Sequence, residues 1–253
     1  MATNFFWYEL MTSDLAAAEK FYPAVIGWTT QDFPNSDMRY VVVSANGVGV
    51  GGLMTIPEDA AKAGAQPAWL GYIEATDVDA VSSGIEKAGG RVLRQPADIP
   101  DVGRFSVVSD PQGAMFMLLQ PNGPDQDPVP MGTLGRVGWH ELITDDWEKA
   151  FEFYSAQFGW TKDQAVDMEE MGVYQLYAVD GQPSGGMMNR SPDIPAPYWG
   201  FYFNVDGIDA AVQRVKDNGG TVILGPMEVP GGQWVVNCQD PQGAHFSLVS
   251  DTK

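Results

Sequence analysis

Cysteine is almost missing from this 253-residue chain: Cys238 stands alone, so no internal disulfide can form, and a reducing, cytoplasmic compartment is expected. Basic residues are scarce as well. The chain carries 14 Lys and Arg against 33 Asp and Glu, a formal charge of −19. It therefore lacks the basic footprint that supplies most of the affinity for nucleic acid or for an anionic membrane surface, and neither partner is expected. No apolar run is long enough for a transmembrane helix. Met1 to Phe6 has no basic region leading into an apolar stretch, so no signal peptide is expected. The Gly-Gly pairs follow strands without opening a helix in a dinucleotide fingerprint, so they are not read as phosphate loops.

What the chain does contain is a duplication. Trp7-Tyr8-Glu9-Leu10, then Asp14, Phe21-Tyr22 and Gly27-Trp28, return as Trp139-His140-Glu141-Leu142, Asp146, Phe153-Tyr154 and Gly159-Trp160. Further on, Tyr72, Gly90 and Asp110 return as Tyr202, Gly220 and Asp240, always 130 residues later. Self-similarity at a constant offset marks repeated structural units. Two domains are expected, residues 1–121 and 136–253, each large enough for a core. They are joined by a Pro-, Gly- and Asp-rich linker at 122–135.

Within each domain the pattern alternates between strand and helix. Phe5 to Met11 reads as a mostly buried strand. A helix follows, capped by Ser13, interrupted or kinked at Pro23 and ended by Gly27. Arg39 to Ser44 and Val48 to Ile56 form a hairpin around Asn46-Gly47, and glycines 49, 51 and 52 signal a bulge or a close backbone approach. Pro57 to Pro67 reads as a connector. Leu70 to Ala75 starts a second unit, with Thr76 capping its helix, Gly89-Gly90 ending it, and Asp110-Pro111-Gln112-Gly113 before the last strand. In the second half Asp145 is expected to cap the corresponding helix. Each quarter of the chain reads β-α-β-β-β.

A first strand followed by aspartate, Phe-Tyr and Gly-Trp, with a closing Asp-Pro-x-Gly, resembles the vicinal oxygen chelate superfamily. That superfamily includes glyoxalase I, extradiol dioxygenases and bleomycin-resistance proteins, and the likeness is greatest to its two-domain bacterial glyoxalase-like members. The resemblance implies an α+β fold of two tandem glyoxalase-like domains, each of two βαβββ modules whose mixed sheet curls around a cleft. It also implies a small-molecule ligand, and a metal held by His or Glu from four strand positions per cleft. Here those positions fall at Trp7, near Gly52-Leu53, near Leu70 and at Met117 in one half. In the other they fall at Trp139, near Gly186-Met187, near Gly200 and at Ser247. Tryptophan, methionine and glycine side chains offer no hard ligand, so neither the metal nor any other cofactor is expected.

Strand alternation then assigns cleft faces. One cleft is expected to be lined by Trp7, Glu9, Tyr72, Met115 and Met117. The other is expected to be lined by Trp139, Glu141, Tyr202, His245 and Ser247, with Trp234 also a candidate, while His140 points away. Aromatic and Met-lined concavities hold flat apolar ligands, although the same residues serve equally as packing. Glu141 and His245 are candidates for an acid–base pair with Tyr202 as orienter, the alternatives being a solvent-facing carboxylate and a rim histidine. Two functions follow: a metal-free binder of a small apolar or aromatic molecule, or a glyoxalase-like lyase or hydroxylase-type enzyme. In a third, one cleft is degenerate. Four modules in one chain make a monomer feasible, with a homodimer the alternative.

Overall fold

Residues 3–34, 38–123, 130 and 132–253 are described by a computed structural model. Positions 124–129 and 131 of the expected linker lie outside them.

Four βαβββ modules succeed one another. The first comprises β1 (Phe5–Thr12), α1 (Leu15–Ile26), β2 (Thr29–Asp32), β3 (Tyr40–Ala45) and β4 (Val48–Thr55), followed by a short helix, α2 (Glu58–Lys62), inside the expected connector. The second is β5 (Ala68–Glu74), α3 (Val78–Lys87), β6 (Arg91–Ile99), β7 (Gly103–Ser109) and β8 (Met115–Pro121). The third is β9 (Val137–Thr144), α4 (Trp147–Phe158), β10 (Thr161–Asp167), β11 (Val173–Val179) and β12 (Gln182–Asn189), with a single 3₁₀ turn at Glu169–Met171. The fourth is β13 (Tyr198–Asn204), α5 (Ile208–Asp217), β14 (Thr221–Glu228), β15 (Trp234–Gln239) and β16 (His245–Ser250). Two eight-stranded mixed sheets result, ordered β2-β3-β4-β1-β5-β8-β7-β6 and β10-β11-β12-β9-β13-β16-β15-β14. This is the expected α+β architecture.

Three expected caps move one residue. Asp14, Asp77 and Asp146, rather than Ser13, Thr76 and Asp145, accept from the amides of Ala17, Ala80 and Lys149. In each case the aspartate directly before the helix is in extended backbone and lies three residues before the amide it caps. α1 does not stop at Pro23 but runs through it to Ile26, where Gly27 (φ 90°) turns the chain and donates to the Pro23 carbonyl. The Asn46-Gly47 turn forms as expected, with both residues at positive φ.

By packing, the chain divides into two compact units that interleave in sequence. One takes the described residues within Met1–Trp7, Gly71–Pro128 and Trp139–Trp199. The other takes Gly200–Lys253 and the described residues within Tyr8–Leu70 and Val129–Gly138. Each has an aromatic core drawn from both halves of the sequence, and the repeated motifs are what tie it.

In the first unit Tyr154 donates to buried Asp110 at 3.2 Å and accepts from Trp199 Nε1 at 2.9 Å, while Asp110 Oδ1 accepts three amides of its own turn. Burial holds the Asp110 carboxyl above the usual range despite these donors. Trp160 stacks between Tyr154 and Tyr177 and donates to the Thr3 carbonyl at 2.7 Å. The second unit repeats this arrangement. Tyr22 donates to Asp240 at 2.9 Å, Trp69 donates to Tyr22, and Trp28 donates to the Gly135 carbonyl.

Candidate functional site

In β9, alternation puts His140, Leu142 and Thr144 on a buried face and leaves Trp139 and Glu141 half-buried on the other. β12 runs parallel to β9 with Gly186 opposite Glu141. The glycine is needed for space: a Cβ there would come within 2.3–2.6 Å of the ring end of Tyr174, which reaches across from β11. Trp139 Nε1 donates to the Tyr174 hydroxyl at 2.7 Å, fixing the two aromatic side chains beside the carboxylate. Tyr198, 38% exposed at the start of β13, completes the group. Burial, and after it the nearby Glu141 carboxylate, push its phenol up to about 12. One carboxylate and three aromatic side chains thus gather within a single unit, on a sheet face that remains partly open.

The other unit holds a closed counterpart. Glu9 lies opposite Gly52 in the β1–β4 ladder, and the Tyr40 hydroxyl covers Gly52, where a Cβ would meet it at 2.0 Å. Glu9 is only 5% exposed, and Ala68 stands where the second half has Tyr198.

The remaining expected site residues are distributed as follows. Trp7 is half-buried in β1. Tyr72 and Met117 are buried and paired in register between β5 and β8, and Met115 is exposed at the start of β8. Tyr202 and Ser247, both buried, are paired in register between β13 and β16. His245 is exposed as the first residue of β16, its Nε2 3.4 Å from the Gln239 side-chain nitrogen. Trp234 is half-buried at the start of β15, with the Lys253 ammonium 4.6 Å above its ring. Glu141 and His245 belong to different units.

His140 is buried, stacks on Phe5 at 5.0 Å and holds the Ser184 carbonyl at 2.8 Å, so its Nδ1 carries the proton. Burial lowers its pKa to about 4, which makes it a neutral core residue at ordinary pH. Cys238 is also buried, and its thiol is pushed up to about 12, far from the thiolate that a nucleophile needs. Tyr40, Tyr174 and Tyr198 were not legible as site residues. The one available signal was the strand glycine opposite each glutamate, since interior glycines mark close approach.

The family model for the Glyoxalase/Bleomycin resistance protein/Dioxygenase superfamily matches residues 4–118 and 135–248. The putative glyoxylase CFP32 of Mycobacterium tuberculosis is 35% identical over 246 residues, covering 96% of this chain and 93% of that protein. The anthracycline biosynthesis protein DauV of a Streptomyces species is 30% identical over 256 residues, covering 96% and 91%. Among solved structures, the Mn(II)-bound glyoxalase of Novosphingobium aromaticivorans matches with a TM-score of 0.67 at 16% identity, covering 100% of this chain and 83% of that one. Such a likeness concerns the fold alone.

The donor set does not fit a metal of the type that family suggests. The tyrosine rings fill the space above Gly52 and Gly186, opposite Glu9 and Glu141. Among the described residues, no three His, Cys, Asp or Glu side chains come together to hold an ion.

Proposed function

This chain belongs to the Glyoxalase/Bleomycin resistance protein/Dioxygenase superfamily, and from that premise we propose that it binds a small, largely aromatic molecule on an aromatic-lined sheet face without using a metal. The observation that carries this reading is the half-open group of Trp139, Tyr174 and Tyr198 around Glu141. Flat aromatic side chains next to one polar anchor are the usual lining of sites for such ligands. DauV is a protein of anthracycline biosynthesis, which agrees with an aromatic ligand. The buried, lone Cys238 is in keeping with a cytoplasmic setting. Glu9, with Tyr40 over Gly52, is the corresponding, more closed group of the first half.

Titration of the protein with 1-naphthol, followed by tryptophan fluorescence, tests the reading. Saturable quenching is expected, weakened several-fold by Tyr198→Ala through loss of one aromatic contact. A linear, non-saturating response that is the same in both proteins would sink it.

A second reading is supported by the relative at 35% identity that carries the description putative glyoxylase. In it Glu141 is the acid–base group. Methylglyoxal with a thiol would then be turned over, and the rate would fall by orders of magnitude in Glu141→Gln. Absence of turnover in the unaltered protein rules this reading out.

A further inference from the structure

We propose that the Glu141 site selects ligands carrying an organic ammonium group. The inference rests on the aromatic-ligand reading above and specifies the charge of the ligand. Its basis is the kind of groups that meet at one place. Glu141 supplies a carboxylate in β9, and Trp139, two residues away on the same face, supplies the largest π system among the side chains. Tyr174 is fixed to Trp139 by a 2.7 Å hydrogen bond and brought over the sheet by the glycine at 186. Tyr198 contributes a third ring, exposed enough for a ligand to reach.

Aromatic faces carry the negative end of a quadrupole, so three rings and a carboxylate place the same sign of potential in one half-open space. An anionic ligand is repelled there. A neutral apolar ligand gains from the rings but not from the carboxylate. An alkylammonium or quaternary ammonium gains from both, and its weakly hydrated methyl or methylene shell suits ring faces better than a small hydrated metal ion does. The Tyr198 phenol, raised by burial and after it by the Glu141 carboxylate, stays neutral beside that carboxylate. The chain's formal charge of −19 adds long-range attraction for cations.

The first half provides an internal control. Its glutamate, Glu9, is 5% exposed and has Ala68 at the position of Tyr198, so the same strand pattern there lacks both the access and the third ring. One site of this type per chain is therefore expected.

The test uses benzyltrimethylammonium and its uncharged isostere neopentylbenzene, with 1-naphthol as a third probe, each titrated into the full-length protein. The ammonium is expected to bind at least tenfold more tightly than the isostere, with a stoichiometry near one. Glu141→Gln should abolish that preference, the ammonium and the isostere then binding alike. Tyr198→Ala should reduce ammonium binding several-fold, and Glu9→Gln should not change it. Circular dichroism and the thermal midpoint of each variant show that the fold is kept. Equal binding of ammonium and isostere, or a preference unaffected by Glu141→Gln, overturns the ammonium inference and leaves the aromatic reading in place. Failure of all three probes to bind overturns both.

Discussion

At the scale of single residues, His140 is the group whose chemistry the fold changes most. Its folded-state pKa of about 4 lies below the ordinary value of 6.5, because burial against Phe5 disfavours the imidazolium. A depressed histidine pKa means that the unfolded chain takes up the proton first. The associated stability is fully present above pH 6.5 and is lost as pH falls towards 4. Between pH 7.5 and pH 5 the loss from this residue should be about 2 kcal/mol. Urea unfolding of the protein and of His140→Phe at the two pH values checks this: the variant should lose less stability on acidification by roughly that amount. Parallel losses in the two proteins would show that the imidazole does not carry the effect. The neighbouring Glu141, one residue along β9, faces the opposite way and belongs to the proposed ligand site. Two adjacent polar residues of one motif thus serve the core and the open face.

At the scale of elements, the glycines of β4 and β12 serve two purposes that strand alternation keeps apart. Gly51 packs against the backbone of β1, where a Cβ would lie 2.1 Å from the Tyr8 carbonyl oxygen, and backbone cannot move without disturbing the ladder. Gly186 instead makes room for the far end of the Tyr174 side chain, which can swing away. Gly51→Ala should therefore cost about 1–3 kcal/mol, the usual range for overpacking a core. Gly186→Ala should cost less, yet it should displace Tyr174 from Trp139 and weaken 1-naphthol binding. Denaturation midpoints and fluorescence titrations of the two variants check the contrast. A larger loss of stability for Gly186→Ala than for Gly51→Ala would refute it.

At the scale of the whole molecule, the repeat is more than two copies of one domain in a row. The hydroxyl of Tyr22 bonds Asp240 and the indole of Trp28 bonds the carbonyl of Gly135, whereas Tyr154 bonds Asp110 and Trp160 bonds the carbonyl of Thr3. Each half of the sequence thus supplies partners for the buried motif of the other. A fragment of residues 1–121 would leave Tyr22 and Trp28 without these partners, and unsatisfied buried polar groups are costly. Such a fragment should show weak near-ultraviolet circular dichroism alone and regain it when mixed with 122–253. Full native-like dichroism and cooperative unfolding of the lone fragment would contradict this.

Much of this architecture is legible in the sequence. The period of apolar residues, the turn pair Asn46-Gly47, the Gly27 helix end and the constant offset of the repeat are local signals, and they sufficed for four βαβββ modules. Local sequence also required Glu9 and Glu141 to share faces with Trp7 and Trp139, because alternation in a strand follows from backbone geometry. What it could not contain was the pairing of elements far apart in sequence. Which aspartate receives the Tyr154 hydroxyl, or which tyrosine ring fills the space over Gly186, depends on packing between strands and helices that no spacing encodes. The cap positions, shifted by one residue, differ from expectation for a related reason. Several residues of similar propensity compete for each local role, and the one whose backbone the tertiary fold holds in the required conformation takes it.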